Sequence, residues 1–434
     1  MKKIIALLLA VLMVLSMVAC ASKTTDDTSA DTTPADTTPA DTTTEDTEKT
    51  EEPADTTTDA EPVETDGEYA VAMITDYGDI TDQSFNQTTY EACKAFCEAN
   101  GVDFNYFKPA GDNTADRIAM IEKAVDEGYN VIVMPGYAFG GAIVEAAPEY
   151  QDVKFIALDV AKGDLLEAGV AAAGETYDYN PDNWNLEDYV DMSNVYCAIY
   201  QEELCGYMAG YAAVKLGYEK LGFLGGMAVP AVVRYGYGFV QGIDAAAKEL
   251  DKTVELNYVY GNMFTGDPDI TAAMDVWYQG GTQVIFACGG GIYTSAVDAA
   301  KKVEGAKVIG VDVDQAGVIA KYAGGDEYLD LTVTSAMKGL YPATYDALTD
   351  IIINGKWADY VGKIETLGLV SGDDPEANYV QLPMESTQWA DGFTQEDYKA
   401  LVAKMFAGEV TVSNDTTTMP AVTNVTLNVQ DNIK

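Results

Sequence analysis

From about position 69 onward, short apolar runs alternate with longer amphipathic stretches. Runs of four to seven residues rich in Val, Ile, Ala and Phe predict buried strands, and stretches with apolar residues three and four apart predict helices. This alternation is typical of parallel α/β architecture. The predicted strands are 69–74, 103–107, 131–134, 154–158, 220–224, 254–260, 284–287 and 307–311. The predicted helices are 84–100, 115–127, 140–150, 201–215, 236–250, 270–279 and 294–302.

These elements form two successive doubly wound units of similar size, which predicts two parallel-sheet lobes. The first lobe is expected over 67–198 and the second over 199–325. The stretch 177–194 is acidic, aromatic and rich in Asn, which indicates an exposed insertion. Ligands of doubly wound sheets bind beyond the carboxyl ends of strands or in a cleft between lobes. The loops at those strand ends are therefore where binding residues are expected.

The N-terminal residues are typical of an export signal. Lys2 and Lys3 precede an apolar run over 4–18, which is shorter than the ~20 residues that a transmembrane helix requires. The run ends in small residues and Cys20, an arrangement that resembles the lipobox of bacterial lipoproteins. We therefore expect 1–22 to be a lipoprotein signal peptide with Cys20 as the lipidated residue. An ordinary cleaved signal is the alternative.

A tether is expected between this signal and the folded part. Residues 23–66 consist mainly of Thr, Asp, Glu, Ala and Pro, with almost no larger aliphatic side chains. Such a segment buries too little apolar surface to offset the entropy of ordering, so we expect it to be disordered.

Charge and composition exclude several classes of function. The chain has 25 Lys and Arg against 70 Asp and Glu, which gives a formal charge of −45. Such a field disfavours nucleic acid and anionic headgroups as partners and favours neutral or cationic ligands. The sequence contains no histidine, which excludes His-based catalytic triads and His metal sites. We therefore expect a binding protein rather than an enzyme.

The residues also predict neither a metal nor a cofactor. Asp76, Asp79 and Asp82 follow one another at a spacing of three, but the EF-hand pattern of alternating ligands, central Gly and distal Glu is absent. Cys93 and Cys97 lie four residues apart on a predicted helix and are expected to be small buried side chains. Without Cys20 the cysteines are odd in number, which argues against a complete disulfide framework.

Four motifs carry a resemblance to a known family. They lie within 75–87, 225–227, 309–315 and 335–338, which read TDYGDITDQSFNQ, GGM, IGVDVDQ and SAMK in that order. The motifs resemble the basic membrane protein family of lipoproteins, the substrate-binding receptors of ABC transporters that include purine nucleoside receptors. This resemblance implies a periplasmic-binding-protein type I fold with three interlobe crossings, so that 326–434 supplies crossover segments that complete both lobes.

The resemblance also implies roles for two aromatic residues. Phe85 matches the residue that stacks on one face of the nucleobase, and Tyr235 lies about where the second stacking aromatic belongs. Tyr237 and Phe239 compete for that second role. Phe85 alternatively packs under the first helix turn, behind Ser84 as a plausible N-cap. A neutral purine offers two π-faces, and each stacked aromatic contributes about 1–3 kcal/mol.

Polar residues at strand ends complete the implied site. Asp76 and Asp159 match residues that face the base or ribose, with loop caps as the alternative. Asp312 and Lys338 match groups that hydrogen-bond the ribose hydroxyls, although Lys338 is alternatively a surface lysine at a helix start. The glycines at 289–291 lack the Lys-Ser/Thr of a P-loop and predict a tight strand-to-helix turn close to a ligand. The residues expected to bind ligand are Asp76, Phe85, Asn86, Asp159, Tyr235, Gly289, Asp312 and Lys338.

Together these features predict a lipid-anchored receptor on the extracytoplasmic face of the cell membrane. It is expected to be a monomer that captures a nucleoside, with a purine favoured, and delivers it to an ABC permease. A pentose or hexose receptor of the same fold is the alternative within binding proteins. An exported nucleoside hydrolase that uses an Asp cluster with calcium is the alternative from another class.

Overall fold

A computed structural model describes residues 69–434. The predictions for the signal peptide (1–22), for Cys20 and for the tether (23–66) lie outside the described residues. Over the described range, no helix combines the length and apolar character needed to cross a bilayer.

The first lobe of the described chain contains a parallel six-stranded sheet. Its strands are β1 (Ala70–Ile74), β2 (Asp103–Phe107), β3 (Val131–Pro135), β4 (Lys154–Leu158), β5 (Val195–Tyr200) and β11 (Ile364–Leu367). They lie in the order β11-β5-β4-β3-β1-β2. The helices of this lobe are α1 (Phe85–Asn100), α2 (Thr114–Asp126), α3 (Gly140–Ala146), α4 (Lys162–Ala172), α10 (Leu340–Leu348) and α11 (Trp357–Tyr360). Because helices cover the sheet, the central strands β1, β3 and β4 are almost entirely buried.

The second lobe of the described chain contains a seven-stranded sheet in the order β12-β10-β9-β8-β6-β7-β13. The strands are β6 (Lys220–Gly225), β7 (Val254–Tyr260), β8 (Val284–Cys288), β9 (Lys307–Asp312), β10 (Thr332–Lys338), β12 (Val380–Gln381) and β13 (Val425–Val429). Within this sheet β12 pairs antiparallel to β10, and the other pairings are parallel. The helices are α5 (Glu202–Lys215), α6 (Pro230–Glu249), α7 (Pro268–Gln279), α8 (Tyr293–Ala300), α9 (Ala316–Ala323) and α12 (Gln395–Phe406). The expected fold class, two parallel-sheet lobes, is confirmed.

Within residues 69–434 the chain crosses between the lobes three times, and the crossing segments lie side by side. The first crossing follows β5, the second follows β10, and the third leads from β11 to β12. The amide of Gln201 donates to the carbonyl of Leu367 at 2.9 Å, and the amide of Gly339 donates to the carbonyl of Tyr379 at 2.6 Å. The amide of Tyr379 in turn donates to the carbonyl of Gly368 at 3.0 Å. These hydrogen bonds tie the three segments into one hinge.

Local sequence determines both ends of helix α1, whose first residue, Phe85, borders the cleft between the lobes. The helix ends at Gly101, whose φ of +66° is the left-handed conformation that glycine adopts without strain. At the other end, Asp82 accepts hydrogen bonds from the amides of Ser84, Asn86 and Gln87. Ser84 itself, the expected N-cap, makes no side-chain cap hydrogen bond. The cap acceptor is therefore Asp82, which leaves the Ser84 hydroxyl available for another partner.

The segment between positions 159 and 200 differs from the sequence-based prediction. Helix α4 was not predicted, because Gly163 and Gly169 weaken its helical pattern. Strand β5 was not predicted either. Gly169 is needed there, since a Cβ at this position would lie 2.8 Å from the carbonyl oxygen of Tyr189. The prediction that 177–194 is an exposed insertion is wrong in part. Tyr177 is buried in a cluster on α4 that also includes Trp184.

Several boundaries also differ, while the cysteines are as predicted. Helix α3 ends at Ala146, and α6 begins at Pro230. The five cysteines of the described range are buried and unbridged. The prediction that Cys93 and Cys97 are small buried side chains is confirmed.

Candidate ligand-binding site

A cavity of about 320 Å³ lies between the two lobes, at the carboxyl ends of their strands. Its size falls at the lower end of the ~300–1,000 Å³ range of small-ligand pockets. Every residue that the sequence analysis proposed for ligand binding contributes to its lining. These residues are Asp76, Phe85, Asn86, Asp159, Tyr235, Gly289, Asp312 and Lys338.

Lys338 occupies the centre of a buried charge cluster that both lobes supply. It is the last residue of β10 and only 5% exposed, so the alternative of a surface lysine at a helix start is wrong. Its ammonium donates a hydrogen bond to Asp159 Oδ2 in the first lobe. It also lies 3.5 Å from Glu202 Oε1 and 3.6 Å from Asp312 Oδ1 in the second lobe. The cation thus joins carboxylates across the cleft.

Burial and pairing set the protonation of this cluster. Burial alone would lower the pKa of Lys338, but the surrounding carboxylates outweigh it and hold that pKa above its usual range. Burial raises the pKa of Asp159 to about 7, although Lys338 opposes this shift. Burial would also raise the pKa of Glu202, but Arg234 and Lys338 hold it below its usual range. Lys338 therefore stays charged, and Asp159 titrates close to neutral pH.

Asp159 and Asp312 occupy matching positions in the two lobes. Asp159 directly follows β4, and Asp312 is the last residue of β9. Both have left-handed backbones, with φ of +59° and +67°. Asp is one of the few residues other than Gly that adopt this conformation routinely. In each lobe the strand end turns so that its carboxylate reaches Lys338.

Asp312 also contacts residues on both sides of the cleft. Its Oδ2 accepts a hydrogen bond from Ser84 Oγ of the first lobe at 2.5 Å. Its Oδ1 accepts one from the hydroxyl of Tyr235 in the second lobe at 3.4 Å. Nearby, Gln315 Nε2 donates to the carbonyl of Gln83 at 3.4 Å, a further contact between the lobes. Ser84 therefore serves the interlobe contact instead of capping its own helix.

Asp76 and Asn86 form a network within the loop after β1. Asp76 Oδ1 accepts hydrogen bonds from the amides of Tyr77 and Gly78 at 2.6 and 2.7 Å, so the loop-cap alternative holds for this oxygen. Asp76 Oδ2 accepts no hydrogen bond from residues 69–434 and remains available to a ligand. Asn86 Nδ2 donates to Asp76 at 3.1 Å and to Asp82 at 3.0 Å. The Asn86 amide thus positions Asp76.

Asp76, Asp79 and Asp82, the carboxylates spaced three apart in the sequence, each interact with groups of the described chain. Asp79 is exposed and pairs with Lys108 at 2.8 Å. Asp82 caps α1, and Asp76 holds its own loop.

Phe85 presents part of its ring to the cavity. It is the first residue of α1, half-buried, and packs in part against the core. The Lys338 ammonium lies 4.6 Å from the centroid of the ring, within cation–π range. The ring thus borders both the cavity and the charge cluster, and packing under the helix accounts for only part of its surface.

The other expected aromatics present little ring surface to the cavity. Tyr235 touches the cavity but is only 2% exposed, and its ring packs edge-on against Phe286 at 6.0 Å. Phe239 is fully buried in the core, and Tyr237 packs towards Tyr258. None of these three offers a broad open face to a ligand.

Phe264, in the loop after β7, is an accessible aromatic that the sequence analysis missed. It is half-buried and lines the cavity. Gly289 has a φ of +148°, and a Cβ there would lie 2.8 Å from the Phe264 ring. The amide of Gly291 donates to the carbonyl of Phe264 at 2.8 Å. The glycine turn therefore seats this ring. The signal that could have found it is its position in the loop after a predicted strand, four residues beyond the strand end.

Two further charged residues on the cavity wall were also missed. Arg234 donates through Nε to Glu202 Oε2 at 2.7 Å, which links α6 to the charge cluster. Asp164 lines the first lobe, and burial raises its pKa to about 7. Both lie on helices, whereas the sequence pattern points to the loops at strand ends.

Two doubly wound lobes joined by a three-segment hinge, with a cavity between them that charged and aromatic residues line, define the class of two-lobed solute-binding proteins. Residues 69–373 match the family model Bmp, described as ABC transporter substrate-binding protein PnrA-like. The chain belongs to this family, which confirms the resemblance.

Individual relatives agree with the family. The chain is 26% identical over 317 residues to the ABC transporter nucleoside-binding protein BmpA of Lactococcus lactis, covering 69% of this chain and 79% of that one. It is 26% identical over 322 residues to an uncharacterized lipoprotein of Pyrococcus furiosus, and the match covers 71% of this chain and 70% of that one. A crystal structure of an ABC transporter solute-binding protein from Aeropyrum pernix superposes with a TM-score of 0.57 at 22% identity. The superposition covers 80% of this chain and 88% of that one. That superposition supports the fold.

Proposed function

We propose that this protein is a lipid-anchored receptor that captures a purine nucleoside between its lobes and delivers it to an ABC permease. The observation that carries the proposal is the composition of the cavity. Aromatic rings from both lobes, Phe85 and Phe264, border the same space as the Lys338 charge cluster. The name of the Lactococcus relative, a nucleoside-binding protein, supports the same ligand class.

The chemistry of the cavity suits a neutral nucleoside. Phe85 and Phe264 supply aromatic surface for the purine, with about 1–3 kcal/mol per stacked ring. Asp76 Oδ2 accepts from an N–H edge of the base, and Asp159, Asp312 and Lys338 accept from and donate to the ribose hydroxyls. Acidic side chains outnumber cations on the cavity wall, which disfavours nucleoside phosphates.

The division of these groups between lobes explains capture and release. Phe85, Asp76 and Asp159 belong to the first lobe, and Phe264, Asp312 and Lys338 belong to the second. A ligand that contacts both sets favours the closed arrangement, and hinge opening exposes it again. We propose that the closed, loaded form is the one presented to the permease.

The proposed location follows from Cys20. Acyl chains on this cysteine would hold the receptor at the extracytoplasmic face of the membrane. The relative from Pyrococcus is also called a lipoprotein. We propose that the anchored receptor acts as a monomer. Metabolic labelling with a fatty-acid probe is expected to mark the wild-type chain and leave Cys20→Ala unmarked. Equal labelling of both chains would contradict the anchor.

The ligand class is tested by calorimetry on the full chain after unfolding and refolding to remove carried-over ligand. Inosine, guanosine, adenosine, cytidine and ribose are titrated in turn. One-to-one binding of the purine nucleosides without turnover is expected. Binding of ribose but no nucleoside would assign the protein to the sugar receptors, and calcium-dependent cleavage of inosine would make it a hydrolase. Absence of any binding would refute the assigned site.

A further inference from the structure

Residues 413–434 lie across the second lobe, beyond the part that the family model matches. We call this segment the strap. Ser413 exchanges hydrogen bonds with the side chain of Gln241 on α6, at 2.8 and 3.0 Å. The amides of Thr423 and Asn424 then donate to Asp244 on the same helix. From there the whole of β13 pairs in parallel with the first five residues of β7, from Val254 to Tyr258.

The strap ends at the loop that carries Phe264. This loop, residues 261–267, connects β7 to α7 and is called the Phe264 loop here. The amide of Ile433 donates to the carbonyl of Tyr260, directly before the loop, at 3.0 Å. The ammonium of Lys434 lies 2.9 Å from Asp267 Oδ1, at the other end of the loop, and also pairs with Asp269. Consecutive strap residues therefore hold both ends of the loop.

Packing strengthens this connection. The side chain of Ile433 packs against the hydrophobic cluster that contains Ile270 and Ile292. Met263, the neighbour of Phe264 in the chain, packs against the same cluster. Strap and loop thus share one apolar support, and Phe264 projects from it into the cavity.

We infer that Ile433 and Lys434 are positioning residues for the ligand cavity. They touch no residue of the charge cluster, and they act by fixing the ends of the Phe264 loop. The loop is also held by hydrogen bonds from the amides of Gly261 and Asn262 to the β6 end, from the amide of Gly291 to the carbonyl of Phe264, and by two hydrogen bonds between Asp267 and Ser295. The role in ligand affinity rests on the proposed function, whereas the restraint of the loop does not.

The variant Lys434→Met tests the restraint of the Phe264 loop separately from the role in ligand affinity. The matched control is Lys252→Met, which removes an exposed ion pair of the same lobe, with Glu219 at 2.5 Å. Hydrogen exchange is measured on the full chain without ligand. We expect exchange in 261–267 to rise about two- to five-fold in Lys434→Met, the range for an exposed ion pair, and to stay unchanged in the control. Ile433→Ala is expected to give a larger local increase.

Unchanged exchange in 261–267 for both Lys434→Met and Ile433→Ala, or an increase spread over the whole lobe, would overturn the positioning role. Inosine titration then gives the second readout. A loss of affinity by a similar factor, through faster dissociation, is expected for Lys434→Met but not for the control. If the wild-type chain binds no nucleoside, the proposed function fails, and the exchange result still decides the role of the strap.

Discussion

Replacing Lys338 by Met removes the cation from the buried cluster. Lys338 is 5% exposed, and its ammonium lies within 3.6 Å of three carboxylates, those of Asp159, Glu202 and Asp312. At an effective dielectric constant of about 20, each such pair is worth about 4 kcal/mol, which the desolvation of the charges largely offsets. Removing one partner of a buried pair costs about 3–5 kcal/mol, a large share of the ~5–15 kcal/mol that stabilises a typical domain.

The cost depends on pH in a predictable direction. Burial raises the pKa of Asp159 to about 7 even beside Lys338, and without that cation the pKa rises further. In the unfolded chain the same carboxyl has a pKa of about 3.9. Between these values the folded variant holds a proton that the unfolded chain has released. Wild type shares this dependence up to its Asp159 pKa of about 7, and above that only the variant still loses stability as pH rises. The loss relative to wild type is therefore larger at pH 8 than at pH 5.

Urea unfolding at both pH values measures this difference. We expect Lys338→Met to lose about 3–5 kcal/mol at pH 8 and clearly less at pH 5. Adding Asp159→Asn is expected to restore part of the stability at pH 8, since it removes the unpaired carboxylate. An equal loss at the two pH values, or no recovery in the double variant, would refute the reasoning.

Three further predictions concern stability and are checked by the same unfolding assay. Burial raises the pKa of Glu203 to about 7, so ionisation of this carboxyl lowers the stability of the folded chain as pH rises. Glu203→Gln should therefore stabilise the folded chain more at pH 8 than at pH 5, and an equal effect at the two pH values would contradict this. Asp82→Ala removes the cap of α1 and should cost about 1–2 kcal/mol, whereas exposed Asp79→Ala should cost less. Gly289→Ala should cost at least about 1–3 kcal/mol because of its φ and its close contact; Gly317→Ala, with open space around it, is the control, and equal effects would refute the explanation.

The strand-end residues were predictable because parallel strands end at one edge of their sheet. Asp76, Asp159 and Asp312 each follow a strongly apolar run, so their place at the cleft followed from the pattern of the sequence. Lys338 depended on the family resemblance, since the mixed polar and apolar sequence of β10 has no clear strand pattern. Its burial depends on carboxylates from both lobes, which lie far from Lys338 in the sequence and surround it only in the folded chain.

The second aromatic wall could not be predicted from local sequence. Tyr235 lies in an aromatic stretch of α6, but the helix turns its ring into the core. Phe264 reaches the cavity because Gly226 and Gly289, from two other strand ends, leave room for its ring. That complementarity joins three segments far apart in the chain. The position of the strap could not be predicted from local sequence either, because its hydrogen bonds to α6 and β7 join residues more than 170 positions apart.

The most direct test of the central claim is a calorimetric comparison of the wild-type chain, Phe85→Ala and Phe406→Ala. Phe406 is 51% exposed at the end of α12 and is not part of the cavity wall, so its variant controls for the loss of a phenyl ring. We predict one-to-one binding of inosine by the wild type and by Phe406→Ala. We predict affinity about 5- to 150-fold weaker for Phe85→Ala, which corresponds to one stacked ring. Equal inosine affinity in all three chains, or no inosine binding by any, would contradict the account.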